Sequence, residues 1–323
     1  MLAVQIESLD GPAALQVRDV EPPRRAPGDV LIEVHAVGVT FPELLQTRGL
    51  YQDRPDLPFV PGYEVAGIVL ESDPGSRHSV GDRVVAFGIL GGYAEIASIR
   101  EEHVFACPDG LDLVRAASVP MNYLTAHFAL VRRGRIAAGE SVLVHGAGGG
   151  VGVAAIQVAK AWGAGQVVAV ASDDHKAGLA RAAGADEVVP ATGFREAVDT
   201  LTDGRGVDLV VDPVGGDRFL DTLRCLRPWG RALVVGFAAG GIPQIPANRV
   251  LLRNVDVVGA GWGSFAWDVP GYLLDQWEEL RPHLESGRID PAADDRYGLV
   301  DAARALQDLD ERRPVGKLVL RVR

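Results

Sequence analysis

Residues 141–163 read SVLVHGAGGGVGVAAIQVAKAWG: an apolar run, a cluster of glycines, then a segment with helical spacing. The β-branched run 142–144 suits a buried parallel strand, and Ala155, Val158, Ala159 and Trp162 then recur at i, i+3, i+4, i+7. The glycines therefore occupy a strand-to-helix turn. At such a turn free backbone N–H groups and the positive end of the helix dipole point outward together, which is the arrangement that binds a pyrophosphate. Counted from Ala147 the turn is A-G-G-G-V-G, where Gly149 and Gly152 fill the second and third glycine places of G-x-G-x-x-G and Ala147 replaces the first. Taken alone, this pattern also suits a turn that merely packs a helix tightly onto a strand.

The flanking sequence decides between the two. A second apolar strand, 167–171, ends in Ser172-Asp173-Asp174-His175-Lys176, about 20 residues beyond the glycines, where a dinucleotide fold reads the adenosine ribose. Helices over 176–183 and 194–201 and strands over 187–189, 208–211 and 232–235 continue the alternation. Alternation of this kind predicts a doubly wound parallel sheet, a Rossmann domain.

The first 120 residues have a different pattern. Short runs at 30–34, 65–70 and 83–87 are separated by Pro- and Gly-rich corners, which predicts a compact β-barrel, and helical spacing starts only near Asp112. Beyond the wound segment come helices over 273–286 and 300–309 and a closing strand over 317–322. That ending can return to the barrel. The expected division is a catalytic domain of residues 1–121 and 264–323 interrupted by a nucleotide domain of residues 122–263.

Composition sets outer limits. The 323 residues are 47% hydrophobic and 23% charged, as in a globular enzyme, and a net charge of -11 argues against nucleic acid or an anionic membrane as the main partner. With only Cys107 and Cys225, neither a disulfide framework nor a cysteine zinc site can be assembled. Residues 1–6 lead into charged, Pro-rich sequence rather than a secretory signal, and apolar runs are too short to span a bilayer. A cytoplasmic location is expected.

The motifs GDVLIEVHAVGVTFPELLQTRGLY, PFVPGYEVAGIV, VGDRVVAF, NYLTAHFAL, HGAGGGVG, VDPVGG, ANRVLLRNVDVVG and RRPVGKLVL follow one another along nearly the whole chain. In that order the sequence resembles the zinc-free quinone oxidoreductases of the medium-chain dehydrogenase/reductase superfamily. The resemblance implies a GroES-like barrel domain plus a Rossmann domain, with the active site in the cleft between them. Zinc alcohol dehydrogenases of that superfamily place a Cys after the GVG-like turn and a His before the Glu of G-H-E, where this chain has Thr40 and Tyr63. No metal is therefore expected, and the seven histidines lack ligand spacing. Hydride transfer to an acceptor already activated by conjugation needs no metal, so a quinone or an α,β-unsaturated carbonyl is the expected substrate.

NADPH is the expected cofactor. An NAD enzyme carries Asp or Glu at the end of the second strand, and Ala171 holds that place here, followed by Ser172 and Lys176, which suit a 2′-phosphate. An inward turn of Asp173 or Asp174 would instead favour NADH. By resemblance, Gly149, Gly150, Val151 and Gly152 line the pyrophosphate and Thr125 approaches the cofactor. Val214, Gly215, Gly236 and Phe237 flank the nicotinamide ribose, and Lys317 is a further cofactor residue.

The expected catalytic residues are Tyr51, whose phenol can protonate the reduced product, and Thr40, which can replace an amide as donor to the acceptor carbonyl. Thr40-Phe41 stands where many relatives have N-F or N-x, and Leu45 replaces a frequent tyrosine. Phe41, Tyr63 and Trp262 are expected at the pocket wall. Two other readings stay open: an enoyl-thioester reductase, for which Arg24-Arg25, Arg132-Arg133-Gly134-Arg135 and Arg312-Arg313 are the basic candidates, and a non-catalytic NADPH-binding protein. A homodimer is expected through the strand-like, apolar 251–260 at a sheet edge.

Overall fold

The computed structural model describes residues 1–88, 90–313 and 316–323; Pro314 and Val315 of the closing RRPVGKLVL lie outside the described residues. The chain divides into two compact units. One comprises Met1–Met121, Leu273–Arg281 and Pro291–Arg323, and the other Asn122–Tyr272 and Pro282–Asp290. The second sequence boundary thus moves from 263/264 to 272/273, and Pro282–Asp290 departs from the barrel to which the sequence assigned it. Side-chain chemistry explains that departure. Gln157 donates to the Asp290 carbonyl at 2.9 Å and accepts from the Asp290 N–H at 3.0 Å, while the Trp162 and His283 rings lie 4.3 Å apart.

In the second unit six strands form one parallel sheet: β1 (Ser141–Val144), β2 (Gln166–Ala171), β3 (Glu187–Pro190), β4 (Val207–Asp212), β5 (Leu226–Val234) and β6 (Asp256–Gly259). Their order is β3-β2-β1-β4-β5-β6, the doubly wound arrangement. The crossovers carry α1 (Gly150–Ala161), α2 (Asp174–Ala182), α3 (Phe194–Leu201), α4 (Phe219–Arg224) and α5 (Ala247–Arg253). Strand residues Leu143, Val168, Val170 and Val210 pack with Phe194, Val198, Phe219 and Leu223 of the helices into one buried cluster. Because the strand order reverses between β1 and β4, the loops at their C-terminal ends diverge and open a crevice.

The apolar stretch 251–260 is not one strand. Its first residues belong to α5, which Asn254 ends in the left-handed conformation (φ 50°), and only Asp256–Gly259 pairs, with β5. Ahead of β1 in the chain, residues 120–133 are helical, with wide π-type turns at Pro120–Leu124 and Phe128–Arg133 on either side of Thr125–His127.

The first unit is a seven-stranded sheet whose path runs Ala293–Gly298, Lys317–Arg321, Asp29–Gly38, Glu64–Glu71, Arg83–Phe87, Val104–Ala106, with Ile96–Arg100 also paired to Asp29–Gly38. Alternate residues of the long strand, Val30, Ile32 and Val34, point into a core shared with Leu44, Val65, Val84, Tyr93, Leu318 and Leu320. The closing strand pairs antiparallel with Asp29–Gly38, so the end of the chain returns to its first unit. Among the described residues no helix is long and apolar enough to cross a membrane.

Candidate functional site

In the parallel-sheet unit β1 runs into the glycine turn, and Gly149 caps α1 without a side chain. The first N–H groups of that 12-residue helix have no partner within it and present a positive end to the crevice. Two glycines here answer different needs. A Cβ on Gly152 would come 2.2 Å from the Gly146 carbonyl oxygen, so only glycine lets the helix lie this close to the turn. A Cβ on Gly149 would meet nothing nearer than that same oxygen at 3.4 Å, so its missing side chain leaves the face of the turn open. This is the cradle that a diphosphate requires.

The root of the Lys176 side chain packs against the turn, where a Cβ on Gly148 would come 2.4 Å from the Lys176 Cβ. Its ammonium lies 3.2 Å from Ser172 Oγ and 3.2 Å from Asp173 Oδ2. Asp173 caps α2: Oδ1 accepts from the Lys176 N–H and Oδ2 from the Ser172 hydroxyl, both at 2.9 Å, which holds its carboxyl down at about 2. Of the two carboxylates that made the sequence ambiguous between NADH and NADPH, that of Asp173 is thereby taken up by helix capping. Ser172 and Lys176 are left as the pair at the end of β2.

Beyond β4, buried Asp212 accepts from the N–H groups of Val214 (2.8 Å) and Gly215 (2.9 Å). Ala238 and Ala239 donate to the carbonyls of Pro213 and Val214, and Phe237 sits where a Cβ on Gly215 would strike its ring at 2.8 Å. The two loops expected at the nicotinamide ribose are therefore knitted into one wall, with Gly236 and Phe237 on the same loop. Beneath them His145 is buried, its Nε2 2.9 Å from Thr222 Oγ1, and burial pushes its pKa down to about 4. Thr125 is half-buried at the start of Thr125–His127, and Trp262 is buried within this unit.

In the barrel unit the helix Phe41–Gln46 begins at Thr40 and places Glu43 in complete burial. Glu43 Oε2 accepts from the Thr40 N–H (2.9 Å) and from the Thr40 hydroxyl, and Oε1 accepts from the Tyr63 N–H (3.1 Å). Burial raises the Glu43 pKa, against the lowering effects of Thr40 and Lys317. Thr40, expected as a donor to an acceptor carbonyl, meets Glu43 through both its N–H and its hydroxyl. Lys317, expected at the cofactor, pairs its buried ammonium with fully buried Glu64, whose other oxygen accepts from the Met121 N–H at 2.7 Å.

Gln46 Nε2 donates to the buried Tyr63 phenol oxygen at 3.2 Å, and the Tyr51 ring meets the Tyr63 ring edge-on with centroids 6.0 Å apart. Burial, followed by the charges of Asp53 and Glu43, raises the Tyr51 pKa, so the phenol stays protonated at neutral pH. Phe41, by contrast, is largely exposed. Sequence reasoning missed Glu43, Gln46 and Asp212 as organisers. The T-x-x-E capping spacing from Thr40 was the one signal that could have found the first.

Comparison with known proteins supplies the family context. Residues 26–109 match the model of the alcohol dehydrogenase GroES-like domain and residues 150–279 that of the zinc-binding dehydrogenase. The quinone oxidoreductase of Pseudomonas aeruginosa is 36% identical over 324 residues, covering 98% of each chain. A probable oxidoreductase from Mycobacterium abscessus is 40% identical with a TM-score of 0.91, covering 100% of this chain and 99% of that one. A mycobacterial protein, Rv1454c, solved in complex with NADPH, is 34% identical with a TM-score of 0.90 over 100% of both chains.

Proposed function

Because the chain belongs to the zinc-free quinone oxidoreductase family of the medium-chain dehydrogenase/reductase superfamily, we propose that this oxidoreductase uses NADPH to reduce a quinone or an α,β-unsaturated carbonyl, without zinc. The observation that carries this reading is the end of β2, where Ser172 and Lys176 stand together while Asp173 is held in a helix cap. A 2′-phosphate can exchange its charge-assisted hydrogen bonds for those that Lys176 makes to Asp173 and Ser172. Bound NADPH supplies the hydride. The turn at Gly149, Gly150, Val151 and Gly152 would hold its diphosphate, and Val214, Gly215, Gly236 and Phe237 its nicotinamide ribose, with Thr125 as a further contact.

Zinc independence is supported by how the two substituted positions are engaged. Thr40 bonds to Glu43, and the Tyr63 phenol oxygen accepts from Gln46. Among the described residues no group of three or more His, Cys, Asp or Glu could hold a metal ion. In this proposal Tyr51 donates to the acceptor oxygen, where negative charge builds as hydride arrives, and Phe41, Tyr63 and Trp262 shape the acceptor's surroundings. The free thiols of Cys107 and Cys225 suit a reducing, cytoplasmic location.

The test is an NADPH and NADH oxidation screen against quinones, simple enones and enoyl thioesters, with and without prolonged chelation. Oxidation of NADPH by quinones or enones, unchanged by chelation, is expected. Preference for NADH, activity restored only by zinc, or turnover confined to thioesters would each overturn part of the reading. Binding of NADPH with no turnover of any acceptor would mark a non-catalytic protein.

A further inference from the structure

We propose that Asn122 is a further cofactor-contacting residue, whose side-chain amide donates to a phosphate oxygen of the NADPH diphosphate at the start of α1. This rests on the NADPH reading above and adds a residue to that site. The observation is a close approach. A Cβ on Gly150, the first residue of α1, would come 2.4 Å from Asn122 Nδ2, 3.0 Å from Cγ and 3.0 Å from Oδ1, so the amide lies against the backbone of that first turn.

Asn122 is only 6% exposed, yet its amide has no hydrogen-bond partner among the described residues. A buried amide without partners is destabilising, so an orphan held in a well-packed position calls for a ligand. The amide is not sealed from solvent, unlike the orphan atoms of His145 and Asp212.

Two features of the fold place it there. The wide π-type turn at Pro120–Leu124 carries the side chain out of ordinary helical register, a distortion common at functional sites. Gly150, having no Cβ, leaves room for the amide beside the unpaired N–H groups of the α1 N-terminus. A diphosphate held there is acceptor-only on its oxygens, and Nδ2 adds a donor to those that the backbone already offers.

The test compares NADPH with adenosine 2′-monophosphate, which carries the 2′-phosphate but no diphosphate, binding each to the wild-type protein and to Asn122→Asp and Asn122→Ala. Asn122→Asp keeps the shape and replaces the donor with a charge that repels phosphate. It should weaken NADPH at least tenfold, Asn122→Ala by a smaller factor, and neither should change the affinity for adenosine 2′-monophosphate, which also reports that the variants are folded. NADPH affinity within twofold of wild type in Asn122→Asp, or equal losses for both ligands, would overturn the proposal. A wild-type protein that binds neither ligand would remove the NADPH reading and this inference with it.

Discussion

The proposed chemistry rests on two single side chains, Tyr51 and Lys176. Burial raises the Tyr51 pKa, so the phenol keeps its hydrogen through the neutral range. Replacing it with phenylalanine should lower enone turnover by about 10- to 100-fold, the lower range for general acids, and quinone turnover much less, because quinones are reduced with little help. Equal losses for both acceptors in steady-state assays would reassign Tyr51 to positioning. Lys176 is a point charge held beside Ser172 and Asp173 at the end of β2. Lys176→Ala should cost NADPH roughly 1.5–3 kcal/mol of binding and leave NADH nearly unchanged, as read by fluorescence titration of each cofactor.

The β1 turn and the loop after β4 meet over a buried polar pair. His145 follows directly on β1, Asp212 ends β4, and the two interact electrostatically in the low-dielectric interior. Burial depresses the His145 pKa from 6.5 to about 4, so the folded protein holds the neutral ring while the unfolded chain takes up a proton below 6.5. The sign follows: stability conferred by the neutral ring is complete above pH 6.5 and is lost as pH falls from there through about 4. Urea unfolding between pH 7 and pH 4 should show this decline, and His145→Gln should flatten it. A wild-type slope unchanged in the variant would assign the acid sensitivity to other groups. Because the same two elements frame the glycine turn and the Val214–Gly215 N–H groups, acid unfolding should begin with loss of cofactor binding.

At the scale of the whole molecule, the parallel sheet ends in two edge strands, β3 and β6. Strand β6 pairs with β5 on one side alone among the described residues, and beside it α5 exposes Leu251 (72%) and Leu252 (76%). An apolar helix next to an unpaired strand edge invites a second copy, since two such edges can continue one sheet across a twofold axis. A homodimer by light scattering at micromolar concentration is the expected result. A lysine at Val258, on the edge strand, together with Leu252→Glu should shift it toward monomer. A wild-type monomer would mean that this edge is shielded some other way.

Residues 141–163 and the alternation after them determined the wound sheet from sequence alone, because a β-branched run, a glycine turn and a 3.6-residue period are local patterns that need no distant partner. The glycine turn between β1 and α1 and the closeness of Ser172 to Lys176 were legible for the same reason. The extended reading of 251–260 failed where periodicity is ambiguous: an apolar run fits strand or helix until Asn254 adopts a left-handed conformation and divides it. Other decisions needed residues far apart in the chain. Lys317 finds Glu64, Gln157 draws 282–290 into the wound unit, Thr40 turns to Glu43, and Asn122 comes to rest on Gly150. Burial strengthens each polar preference, and which partner lies within about 3 Å is set by the packing of the elements rather than by any spacing in the sequence.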